Sequence, residues 1–142
     1  MTFLLDANVL VYSAERGSDR GEDCARILDA VIRDGAPGGT SPAVLEEVWD
    51  LERRRRLAGL EGLTERLYRG LGPLLPITDA VFALALKLDA PAAGTNDRIH
   101  LATCLVNDIG LIVSADRGLD GAEGVQRVEP SDRRAVDRML AG

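Results

Sequence analysis

Two short apolar runs constrain this chain more than any other feature. Residues 2–5 (TFLL) lead straight into Asp6, and residues 111–114 (LIVS) stop one residue before Asp116. Short runs with three consecutive apolar residues read as strands buried on both faces. What lies between them has helical spacing, and strands that alternate with helices join in parallel as an α/β layer. The spacing predicts helices over 7–16 and 19–34, the second with Cys24, Ile27, Leu28, Val31 and Ile32 on one stripe. Gly35–Gly39 punctuate the chain, Thr40 ends a short strand, and Ser41-Pro42 is a helix start with serine as cap and proline in the first turn. That helix runs through Val44, Leu45, Val48 and Leu51 into four arginines. A further helix covers 60–71; residues 74–77 (LLPI) read as a weak strand that its proline confines to an edge. Thr78 caps a helix over 79–89, Asn96 caps one over 97–108, residues 125–128 form a last short strand, and a terminal helix begins at Ser131.

With 142 residues and no repeat or linker, the expectation is one domain over 1–142. The chain is 46% apolar and 28% charged, an ordinary globular balance. No apolar run approaches the ~20 residues of a membrane span. The start carries no basic segment and meets an acid at position 6, which points to a cytoplasmic protein. Cys24 and Cys104 both fall in apolar helical patterns and read as reduced core thiols. The formal charge of −6 counts at first sight against nucleic acid, since phosphate binding leaves a basic footprint.

Where the acids sit changes that. In open α/β sheets ligands bind beyond the carboxyl ends of strands, near a reversal of strand order. Asp6 and Asp116 occupy such ends, and neighbouring strands would bring them together. On the helix after Ser41-Pro42, steps of 100° place Val44, Val48 and Leu51 on the buried stripe and Glu47 at its border, three residues from Val44 and four from Leu51. Glu46 points away, to solvent. Asp97 lies in the first turn of its helix, where the dipole also favours an anion. His100, the only histidine, has no second histidine or cysteine at ligand spacing and reads as a packing or hydrogen-bonding residue rather than a base or ligand. Two carboxylates about 4 Å apart repel by ~4 kcal/mol at an effective dielectric of 20. Converged, Asp6, Glu47, Asp97 and Asp116 therefore need protons or cations. Oxygen ligands suit magnesium or manganese, which accept phosphate oxygens and activate water. The chemistry that follows is metal-assisted hydrolysis.

At this point the sequence resembles the PIN-domain ribonucleases, and among them the VapC-type toxins of bacterial toxin–antitoxin pairs. The resemblance spans nearly the whole chain and is carried by LLDANVLVYSAE (4–15), SPAVLEEVWDL (41–51), NDRIHLATCL (96–105) and SADRGLD (114–120) in this order. The family's acidic quartet falls on Asp6, Glu47, Asp97 and Asp116. The resemblance implies a three-layer α/β fold with a mostly parallel five-stranded sheet flanked by helices. It also implies a site dependent on Mg2+ or Mn2+, cleavage of RNA, a homodimer, and silencing by a cognate VapB-type antitoxin. One departure is Ala7, where threonine is common. Asn8 has two open roles, holding Asp6 or a metal-bound water, or starting a helix; Ser114 and Asp120 are candidates for supporting the acids.

For RNA, the run Arg53, Arg54, Arg55 and Arg56 spans about 300° of helix, so its members cannot share one ligand. Arg54, seven residues after Glu47, is the member on the same side. Arg98 and Arg117 each follow an acid of the quartet and either contact phosphate or pair with acids. Aromatic residues are too scarce for an extended stacking platform. Other classes fit less well: a haloacid-dehalogenase-like phosphatase needs aspartate where Asn8 stands, and a receiver domain needs a late lysine, whereas Lys87 lies in the wrong segment. An RNA-processing nuclease without an antitoxin and an inactive PIN interaction module stay open as alternatives. Discounting the quartet moves the charge balance from −6 to −2.

Overall fold

The computed structural model describes residues 1–54 and 59–142. Arg55 and Arg56 of the arginine run lie outside the described residues. The chain begins with β1 (Phe3–Leu5), α1 (Ala7–Tyr12), α2 (Asp19–Ile32), β2 (Gly38–Gly39) and α3 (Pro42–Arg53). It continues with α4 (Leu63–Leu71), α5 (Asp79–Lys87), α6 (Thr95–Val106), β3 (Leu111–Val113), a single 3-10 turn (Arg117–Leu119), β4 (Gln126–Val128) and α7 (Arg133–Ala141).

The strands form one parallel sheet in the order β2-β1-β3-β4, with Leu4 opposite Gly39 on one side and Ile112 on the other. From β1 the chain first builds outward to β2, then returns to β1's other side with β3. The strand order therefore reverses between β1 and β3, where an open α/β sheet leaves a crevice. Phe3, Leu4 and Leu5 are all fully buried, so both faces of β1 are covered. At Gly38 the ring of Phe3 lies where a Cβ would stand, 2.1 Å away, and only glycine fits.

Among the described residues the sheet has four strands, not the expected five. The missing member is the 74–77 segment. Leu75 donates one backbone hydrogen bond to the Thr40 carbonyl (3.0 Å). Pro73 and Pro76, on either side, have no N–H to continue a ladder. The half-buried Leu74 and Leu75 pack on the core without pairing as a strand.

Helix starts follow the side chains able to cap them. The Ser41 hydroxyl accepts from Val44 N, Ser18 from Gly21 N and Thr78 from Val81 N. Helix α6 begins two residues earlier than expected, with Gly94 rather than Asn96 at the cap, and α7 is capped by Asp132. Helix α1 ends at Tyr12, well short of 16. Cys24 and Cys104 are buried and unbridged, and burial pushes both thiols up to about 12. No helix among the described residues is long and apolar enough to cross a membrane.

Candidate active site

Asp6 is the residue on which β1 turns into α1. Its backbone N–H still pairs with the Val113 carbonyl of β3 (3.0 Å), while its side chain caps α1 by accepting from Ala7 N (2.8 Å). The second carboxylate oxygen accepts from the Ser114 hydroxyl (2.6 Å) and the Asn8 amide (3.2 Å). Asn8 spans the crevice: its amide also donates to Ser114 Oγ (2.9 Å), and its carbonyl accepts from Ala115 N (3.0 Å). Ser114 Oγ accepts in turn from Asp116 N (3.0 Å), and Asp116 Oδ1 accepts from Gly118 N (2.8 Å). The ends of β1 and β3 are thus joined by one polar network, with Asp6 almost fully buried (3% exposed) at its centre.

The other acids arrive from helices. Glu47 on α3 is partly buried, whereas Glu46 is exposed, as their helix phase requires. Asp6, Glu47, Asp97 and Asp116 together line a cleft of about 340 Å³ with Asn8, Tyr12 and Leu51. Asp97, in the first turn of α6, is pushed up to about 7. Partial burial is the main cause, followed by a hydrogen bond and repulsion shared with Asp116, then repulsion from Asp6; the His100 imidazole pulls weakly the other way. Asp97 therefore keeps its proton up to near neutral pH when no cation is bound.

His100 is fully buried one turn after Asp97. Its Nε2 lies 2.9 Å from Glu47 Oε1 and 3.7 Å from Asp6 Oδ1. Ligand atoms of Asp6, Glu47 and His100 fall within 4.8 Å of one another. Burial works against the imidazolium, but the bond to Glu47 and the charges of Asp6, Glu47 and Asp97 outweigh it and raise the imidazole pKa.

The remaining predicted residues are placed differently. Arg98 donates from Nη1 to the Leu88 and Ala85 carbonyls (2.6 and 3.3 Å), closing the end of α5 instead of facing the cleft. Asp120 pairs with Arg127 (2.7 Å), which holds its carboxyl below the usual range, and it does not line the cleft. Arg127 also donates to the Ser114 carbonyl (2.8 Å), so Asp120 reaches the network only through that guanidinium. Arg117 is exposed beside Asp116, and Arg54 ion-pairs with Asp50 (3.0 Å) at the end of α3.

Two features were not read from the sequence. The contact of His100 with Glu47 was foreshadowed only by the three-residue step from Asp97, which puts both on adjoining faces of α6. Tyr12 lines the cleft one turn after Asn8, and its ring carries the Arg20 guanidinium at 4.0 Å, itself bound at two atoms by Glu15. The four-residue step from Asn8 was the available signal.

The family model described as PIN domain matches residues 3–125. A VapC ribonuclease of Mycobacterium bovis is 26% identical over 129 residues, covering 88% of this chain and 98% of that protein. The solved structure of FitAcB from Neisseria gonorrhoeae superposes with a TM-score of 0.74 at 19% identity, over 92% of this chain and 99% of that one. VapBC2 from Rickettsia felis, bound to a DNA fragment from its promoter, gives a TM-score of 0.68 at 12% identity, over 91% and 100%. At such identities the structural likenesses speak for the fold.

Proposed function

This chain belongs to the PIN domain family, and on that premise we propose that it is a metal-dependent endoribonuclease acting as the toxin of a VapBC-type pair. The observation that carries the reading is the convergence of four carboxylates from β1, α3, α6 and the end of β3 on one cleft at the strand reversal. The VapC ribonuclease relative, matched over nearly its whole length, supplies the substrate class.

The donor set suits a hard divalent cation. Asp97 holds a proton near neutral pH because it is partly buried and its neighbours are acids, and a cation in the cleft would relieve that repulsion. Asp6, Asp97 and Asp116 are the residues we assign to holding Mg2+ or Mn2+, with Glu47 completing the set. When bound, such an ion polarises a phosphodiester and lowers the pKa of attacking water. The chain's own residues do the positioning. Ser114 and Asn8 fix one oxygen of Asp6, Ala7 N fixes the other, and Gly118 N orients Asp116. Arg54, exposed at the end of α3, and Arg117, exposed next to Asp116 in sequence, are the groups we assign to RNA phosphates, which guanidinium binds through two parallel hydrogen bonds.

The exposed Phe82 and Leu86 on α5 and Trp49 on α3 support a homodimer. The toxin assignment makes the protein cytoplasmic and gives it a VapB-type antitoxin as partner. The test is expression of wild type and Asp6→Asn, with the 5′ ends of cellular RNA mapped and the cleavage repeated in vitro with chelator. Discrete new ends from wild type alone, lost with chelator, are expected. Equal cleavage by Asp6→Asn would overturn the site, and growth arrest relieved by the neighbouring reading frame separates a toxin from a processing nuclease.

A further inference from the structure

We propose that His100 is the positioning residue of Glu47, fixing through Nε2–H which carboxylate oxygen turns to the cleft. The inference rests on the metal-nuclease reading and adds a residue outside the acidic quartet. A bond of 2.9 Å between Nε2 and a carboxylate oxygen needs a proton between them, because two bare acceptors at that distance repel. The imidazole provides it both as the Nε2–H tautomer and as the cation. Nδ1, by contrast, is buried with no hydrogen-bond partner among the described residues. The ring's polar employment is therefore the single bond to Glu47.

That is a costly way to fill space. His100 is fully buried beside Leu101 and Ala102, where an apolar side chain of similar volume would leave no orphaned nitrogen. The geometry explains what is gained. Glu47 projects from α3, while Asp97 projects from α6, and α3 and α6 meet across the cleft. Glutamate has three rotatable bonds, and Glu47 is 25% exposed, so helix packing alone does not set its carboxylate. His100, on α6 itself, ties Oε1 to the same helix that carries Asp97. That bond leaves Oε2 as the oxygen available to a cation. Nε2 also lies 3.7 Å from Asp6 Oδ1, which keeps its proton at the junction of two carboxylates and moderates their repulsion.

The chain's single histidine makes the test clean. In untagged, metal-free wild type, nitrogen-resolved NMR of the one imidazole should show Nε2 protonated, with that proton slow to exchange; Glu47→Ala should speed the exchange. Protonation on Nδ1 alone, or exchange unaffected by Glu47→Ala, would overturn the proposal. Calorimetric titration with Mn2+ alone should give a dissociation constant about tenfold weaker in His100→Leu, the scale on which partners behind metal ligands act. His100→Gln, which keeps an N–H donor at similar reach, should recover most of that loss. Weakened binding common to both variants at equal melting temperature would reduce His100 to core packing and overturn the proposal. Wild type that binds no Mn2+ would defeat the metal reading itself, and the metal-free imidazole spectra would still decide the bond to Glu47.

Discussion

The two walls of the cleft are built on opposite principles. On the β1 wall Asp6 is almost fully buried, yet its carboxylate is met by Ala7 N, Ser114 Oγ and Asn8 Nδ2. On the α6 wall Asp97 is half-buried, and its bonded neighbour is another acid, Asp116. Burial alone therefore does not decide how a carboxylate behaves. The deeper acid is the satisfied one, and the shallower one is pushed up to about 7. One wall has its hydrogen-bond donors in place in advance; the other is finished only when a cation or a proton arrives.

The harshest way to break that contrast is Asp6→Asn. It should lower RNA cleavage at least about a hundred-fold, the scale of a lost preorganised charge. It should also remove most of the rise in melting temperature that Mn2+ gives wild type, since a ligand stabilises the state it binds. Equal thermal shifts in the two proteins would place the metal elsewhere. Next in size is Ser114→Ala, which removes a bond to a charged group and should cost about 2 kcal/mol in denaturant unfolding. An unchanged unfolding midpoint would mean that the β1 wall is not prepared by this network.

The α6 wall gives a pH signature of known sign. Because the Asp97 pKa is raised above its ordinary value near 3.8, the folded metal-free protein holds a proton that the unfolded chain releases between about 4 and 7. Its contribution to stability is full below about pH 4 and is lost as pH rises through about 7. Chelated wild type should lose stability across that window, and Asp97→Asn should flatten the slope; identical pH profiles of melting temperature would contradict the raised pKa of Asp97. The smallest effect belongs to Arg54→Ala, expected to weaken RNA binding modestly and to reduce its log–log salt slope by about 1. A binding curve superimposable on wild type at every salt concentration would leave Arg54 serving Asp50 alone.

Much of this was legible from periodicity and much was not, for physical reasons. The phase of α3 separates Glu47 from Glu46 because a helix turns 100° per residue, and Val44, Val48 and Leu51 mark its inner face. The same rotation misleads at α6. Arg98 follows Asp97 in sequence but leaves the helix on another side, toward the carbonyls of Leu88 and Ala85. Asp120 lies near the cleft in sequence, yet Arg127, a strand away, takes its carboxylate. Such long-range partners leave no local pattern, and neither does the meeting of His100 with Glu47, 53 positions apart. The fifth strand failed on a local feature, the prolines at 73 and 76, which permit Leu75 a single bond to Thr40.

The brevity of β2 has a consequence for how this protein survives at concentration. A sheet whose inner strands are wholly apolar is a hazard if its margin invites another chain to pair. Here one margin is two glycines long, with the Phe3 ring packed against the first. The opposite margin, β4, places an exposed Gln126 and a charged Arg127 in its three residues. Neither margin is long enough to template an incoming strand. The chain can keep its most aggregation-prone segments, TFLL and LIV, as a central pair that only the folding chain itself ever meets.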